Sequence, residues 1–161
     1  MKKQVLFLTQ AGVIAALYVV LTLLANAFGL ANYAIQVRFS EALTILPFFT
    51  PAAIPGIAIG CLISNIVTGC ALPDIVFGTL ASLIGAVGTF LLRRRKWFAP
   101  IPPIAANTVI VPFVLLYAYG IEPLWFSFVT VGIGEIISCG VLGMLLLNVL
   151  SQYRQILFPQ K

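Results

Sequence analysis

"VLFLTQAGVIAALYVVLTLLA", residues 5–25, runs for 21 positions without one charged side chain. A helix of that length rises about 30 Å, the thickness of a bilayer's hydrocarbon core. Lys2 and Lys3 precede it and "ANAF" follows it, so the pattern must be weighed against a cleaved leader ending in small residues. The apolar run is longer than a leader core, and further runs follow at once. A retained, membrane-spanning first helix is the expectation.

The rest of the chain agrees. Its 161 residues are 61% hydrophobic and 8% charged, with a mean hydropathy of +1.13. A soluble domain of this size leaves too much of its surface to water to hide such a composition. Five more apolar segments are expected as helices, at about 34–49, 52–67, 73–92, 101–119 and 123–150. Prolines in "TPAAIPG" (residues 50–56) suit a loop or a first helical turn. The last segment exceeds one bilayer thickness and should tilt or protrude. Nothing resembles a linker, a low-complexity tract or a pair of inverted halves. The expected fold is an all-α integral membrane protein, a compact bundle of six transmembrane helices forming one domain over residues 1–161.

Charge gives the direction. Of nine basic residues, Lys2, Lys3, the run Arg93-Arg94-Arg95-Lys96, Arg154 and Lys161 all fall at expected helix ends. That is a footprint of topology and not of nucleic-acid binding. The positive-inside rule puts both termini and the fourth-to-fifth loop in the cytoplasm, in a multi-pass protein of the cell membrane. "FGLANYAIQ", "TGCALPD" and "YGIEP" then face outward.

No catalytic set emerges. The chain has no histidine, no nucleophile with a neighbouring base, and no glycine loop with its lysine for nucleotide. The expectation is no enzyme, no cofactor and no metal. Cys61, Cys70 and Cys139 form no CxxC pair and read as small apolar residues. Any uphill movement of solute must draw on an ion gradient or a partner subunit.

Charges inside the membrane cost at least ~2.5–3.5 kcal/mol each, so every survivor needs a partner, water or a task. Arg38 and Glu41, with Ser40 between them, open the second segment at its outer end. Asn65, beside Ser64 and Thr68, closes the third there, and Asp74 starts the fourth. Glu135 lies about twelve residues into the sixth, ~18 Å down at 1.5 Å per residue. Three carboxylates therefore descend from the outer surface to the centre, while Asn107 sits toward the other end and fits the series less well. Each has a plainer alternative. Arg38 and Glu41 stand i, i+3 and could neutralise one another. Arg38 could also snorkel outward, and Asp74 could cap its helix. Glu135 is hardest to dismiss, because no basic residue in any helix is expected at its depth. Glu122 reads as a solvated loop residue. In the first helix Ala11 and Ala15, and one position over Gly12 and Ala16, make smooth faces that suit either the bundle or an external partner.

"QVRFSEALTILPFF" (36–49), "DIVFGTLASLIGA" (74–86) and "GIGEIISCGVLG" (132–143) together resemble the QueT family. These are substrate-binding S components of energy-coupling factor (ECF) transporters associated with uptake of queuosine precursors. The resemblance covers nearly the whole chain. It implies a compact six-helix bundle that binds substrate near its outer face, docks through helix 1 onto a transmembrane coupling protein carried by two ATPases, and topples to release cargo. Ala11 and Ala15 match the docking face, and Arg38, Ser40, Glu41, Asp74 and Glu135 match the polar motif positions. Chemistry supports such a cargo. A 7-deazaguanine, as in queuine or the aminomethyl precursor, presents an N–H beside an amine that a carboxylate accepts as a pair. Its carbonyl needs a donor such as Arg38 or Asn65. Three rivals remain at this point: an autonomous carrier driven by protons through Glu135, an S component for another vitamin-like solute, and a structural subunit without ligand.

Overall fold

The computed structural model describes residues 2–29 and 37–158. The expected start of the second helix at 34–36, with Gln36, and Lys161 of the basic tail lie outside the described residues. Among those described the fold is all-helical. Four helices are long and apolar enough to cross a membrane: α1 (Lys2–Ala27), α3 (Leu72–Leu91), α4 (Ile101–Tyr119), and a continuous helix Leu124–Gln152. That last helix is α5 (Leu124–Glu135), a π-helical turn (Ile136–Leu142) and α6 (Gly143–Gln152), followed by the short α7 (Arg154–Leu157).

The second and third expected crossings are realised differently. Residues Phe39–Phe48 form a 3-10 helix of 10 residues, and α2 (Ala53–Val67) has 15. At about 2.0 and 1.5 Å per residue these rise only about 20 and 22 Å, short of a bilayer core. Pro47 falls inside the 3-10 helix, where it removes an amide donor and cannot serve a regular α-helix. Every residue from Ser40 to Pro47 is buried. The segment is a central column, packed on α1, α2, α3, α6 and the π turn. Its polar Glu41 and Thr44 are hydrogen-bonded inside, as buried polar groups require.

Six segments nonetheless alternate in direction. Arg38, Asn26, Thr68, Asp74, Tyr119 and Ile121 gather around one end of the bundle. Pro51, Arg93, Arg94 and Arg154 gather at the other. The N- and C-terminal helices share that basic end, where Gln10 Nε2 donates to the Leu157 carbonyl at 3.4 Å. The apolar core lies toward it as well: Ile14, Leu43, Leu46, Phe49, Ile57 and Leu147 are packed together there. Large apolar side chains such as Val5, Leu8, Leu72, Leu91 and Val141 stay exposed around the outside, as they must when the surrounding solvent is lipid. The polar interior is left to the opposite half.

α1 sits on α2 at backbone distance. A Cβ on Gly60 would lie 2.7 Å from Tyr18 Cβ and 3.0 Å from the Ala15 carbonyl; one on Gly56 would lie 2.8 Å from the Ala11 carbonyl. Glycine is required where helices approach so closely. Ala11 and Ala15, each 8% exposed, are the α1 side of this contact, so the bundle itself occupies the face expected to dock a partner. Beside them, Gly12 and Ala16 are exposed; a Cβ on Gly12 would meet nothing within 4 Å.

Candidate functional site

Two linked hollows occupy the half of the bundle away from the basic end. The larger, a cavity of about 260 Å³, is lined by Thr22 and Asn26 of α1, Arg38, Asn65, Asp74, and Tyr119 of α4, among others. A narrow extension of about 10 Å³ lies between Arg38, Glu41, Gly78, Ser82, Asn107 and Glu135. Arg38 and Val111 line both hollows, so the second continues the first inward.

Glu41 holds the centre. The Tyr18 hydroxyl donates to its Oε1, and Asn107 Nδ2 lies 3.4 Å from its Oε2. Its backbone carbonyl accepts from Thr44 Oγ1 at 2.6 Å and from Cys139 Sγ at 3.4 Å. The carboxylate is thus held by α1 and α4, while its carbonyl is tied to the π turn. Among the described residues, the hydrogen bonds to its carboxylate come from the neutral Tyr18 and Asn107. Arg38, three residues before Glu41, lines the same narrow hollow. The two are linked through the backbone, Glu41 N–H to the Arg38 carbonyl at 3.1 Å.

Glu135 is buried at the last residue of α5, and Cys139, one turn on, donates to its Oε2 at 3.2 Å. The π turn that begins after Glu135 is the kind of local helix widening often found at functional sites. Donor atoms of Glu41, Glu135 and Cys139 all lie within 4.8 Å of one another. Two carboxylates and a thiol so placed offer a cation, metal or ammonium, a buried seat.

Asp74 stands in the first turn of α3, but Ala71 is the N-cap residue and no side chain caps this helix. Asp74 Oδ2 accepts from Tyr119 Oη at 3.2 Å instead, and Tyr119 Oη in turn accepts from Ala71 N at 3.0 Å. Asp74 thus keeps the first-turn place that the helix dipole favours, reaches the Ala71 amide through Tyr119, and also lines the wide cavity. Asn65 Nδ2 reaches the Asp74 carbonyl at 3.4 Å. Gly78 makes room for both, since a Cβ there would lie 3.2 Å from Asn65 Nδ2 and from Asp74 Oδ1.

Of the residues expected to form the site, Arg38, Asn65 and Asp74 line the wide cavity, and Arg38, Glu41 and Glu135 the narrow one. Ser40 lines neither; it is fully buried, and its Oγ finds no partner among the described residues. Three expectations need correction. Asn107, discounted for its depth, touches Glu41. Arg38 shares a hollow with Glu135, which was expected to have no basic residue at its level. Cys139 is more than an apolar filler, since its sulfur lies 3.2 Å from Glu135 Oε2 and 3.4 Å from the Glu41 carbonyl, either of which can take its one proton. Tyr18, Tyr119, Thr22, Asn26 and Ser82 were missed. Glu122 is exposed, as expected.

Comparison with known proteins gives one family and one relative. A family model described as QueT transporter matches residues 8–152. The queuosine precursor transporter QueT of Lactococcus lactis subsp. cremoris (strain MG1363) is 35% identical over 85 residues, which are 52% of this chain and 50% of that protein. The chain thus matches about half the length of this curated relative. No solved structure matches. With most of its length covered by the family model, the chain belongs to the QueT transporter family.

Proposed function

We propose that this member of the QueT transporter family captures a queuosine precursor, a 7-deazaguanine base, in the cavity between Arg38, Asn65 and Asp74. In this reading it is the substrate-binding S component of an ECF-type importer of the cell membrane. The carrying observation is the pairing of the two hollows. A wide polar chamber opens at the end of the bundle opposite the basic residues, and a narrow one below it holds Glu41 and Glu135. A bicyclic base presents a donor pair to one carboxylate and a carbonyl to a donor such as Arg38 or Asn65. A second carboxylate would answer a cationic aminomethyl group. Three acids and one arginine suit that cargo better than an anionic vitamin.

The six alternating segments become six passes in this reading, with the two short central ones completed by their neighbours. Both termini and Arg93–Lys96 are cytoplasmic by the positive-inside rule, so the chamber faces out. With no nucleotide-binding loop of its own, the chain relies on a transmembrane coupling protein and two ATPases for energy. α1 is the element proposed to dock them. Ala11 and Ala15 are turned to α2, so docking through them requires α1 to part from α2, whereas Gly12 and Ala16 are available without rearrangement.

A proton-driven carrier working through the buried Glu135 is the rival reading. Uptake of labelled base by cells with and without the ATPase module separates the two. The S-component reading expects uptake to vanish without the module while binding to the chain persists. Undiminished uptake in its absence would favour the carrier.

A further inference from the structure

At the basic end of the bundle a second large cavity, about 410 Å³, opens between the end of the 3-10 helix, the end of α3 and the start of α7. Pro47, Phe48, Phe49, Pro51 and Phe90 form its apolar walls, and Arg93, Arg94 and Arg154 its charged ones. Arginines at helix ends are in part explained by topology and by the helix dipole. Neither reason brings Arg154 from the far end of the chain to the same hollow as Arg93 and Arg94. Nor does either supply a counter-charge. All four acidic side chains lie elsewhere: Asp74, Glu41 and Glu135 in the opposite half, and Glu122 in the turn before α5. Arg93 is also held over the Phe90 ring, 3.9 Å from its centroid, which fixes a guanidinium that would otherwise wander. Near the lining arginines in sequence are exposed side chains suited to a membrane interface. Trp97 is 78% exposed, Tyr153 52%, and apolar Leu91 and Ile156 over 70%. Indole and phenol rings of this kind settle at headgroup level.

We propose that this cavity binds the phosphodiester headgroup of an anionic phospholipid. Guanidinium groups offer forked donors that match phosphate oxygens. The phenylalanine and proline walls suit the glycerol and upper acyl carbons, which a soluble anion lacks. An acidic protein surface would use the charges but leave the apolar recess unfilled. Basic pockets between membrane helices on the cytoplasmic side bind anionic headgroups by the same chemistry. The proposal is independent of the transported solute: it rests only on the basic end of the molecule.

The test uses the full chain purified in a neutral detergent and titrated with phosphatidylglycerol, phosphatidylcholine or inorganic phosphate, read by native mass spectrometry and by melting temperature. Phosphatidylglycerol should be retained and should raise the melting temperature of the unmodified protein. Arg154→Gln and Arg93→Gln should each weaken its binding roughly fivefold, which corresponds to about 1 kcal/mol. Arg95→Gln removes the same charge from the same end but outside the cavity, and should change affinity by less than about twofold. Arg154→Lys, which keeps the charge and loses the fork, should fall between. Equal binding of phosphatidylcholine overturns the proposal, as does an Arg95→Gln loss matching that of Arg154→Gln. Inorganic phosphate reproducing the effect would assign the site to a free anion and overturn the lipid reading. So would an acidic peptide that binds there while phosphatidylglycerol does not.

Discussion

Glu41 receives the Tyr18 hydroxyl at one carboxylate oxygen and the Asn107 amide at the other, and it faces the hollow it shares with Arg38 and Glu135. Replacing it by Gln keeps the volume but leaves one acceptor where there were two. The new amide must then turn a donor toward Tyr18 or toward Asn107, and the charge offered to the ligand is lost. Loss of a charge-assisted contact costs ~1.5–3 kcal/mol, so Glu41→Gln and Glu135→Gln should each weaken binding of a 7-deazaguanine about tenfold or more. Melting temperature measured beside affinity separates this from unfolding. Normal binding by both variants would make the carboxylates structural. The charged members of the site were legible in sequence because a charge in an apolar chain is expensive and so stands out. Tyr18, Asn107 and Cys139 were not. Each is an ordinary residue of its helix, and only the packing of three distant segments turns it toward a carboxylate.

At the scale of elements, the close seat of α1 on α2 links the interior to the surface. Tyr18 lies on the face of α1 that Gly60 admits, so any added volume at residue 60 displaces the side chain that holds Glu41. Gly60→Val should therefore destabilise the protein by about 1–3 kcal/mol and weaken ligand binding along with it. Gly12→Leu meets open space and should leave both melting temperature and binding unchanged. If α1 meets a coupling subunit through its open face, the same change should abolish uptake. Unimpaired uptake by Gly12→Leu would remove that face from the docking surface. The helix limits were readable from apolar length and from prolines: 101–119 and 52–67 fall within a residue of α4 and α2. The 3-10 column and the π turn were not readable. Residues 40–47 are all buried, polar Ser40, Glu41 and Thr44 among them, so no periodicity distinguishes one helical form from another, and the choice falls to Pro47 and to the space left by five neighbours. Nothing in "IISCGVL" announces a widened turn.

For the molecule as a whole, polar and basic residues separate to opposite ends of a bundle whose outer surface is apolar. With the basic end inward, a cysteine replacing Glu122 in a chain lacking its own cysteines should react with an impermeant reagent added outside, and one replacing Lys96 should not. The reverse pattern would turn the chamber to the cytoplasm and contradict capture from outside. Most direct is equilibrium binding to the detergent-purified protein, without any partner subunit, of the aminomethyl 7-deazaguanine, queuine and an unrelated anionic vitamin. Saturable binding of a 7-deazaguanine at one site, weakened by Glu41→Gln, with no binding of the vitamin, is the predicted result. A correctly folded protein that binds none of these bases, or binds the anionic vitamin instead, would contradict it.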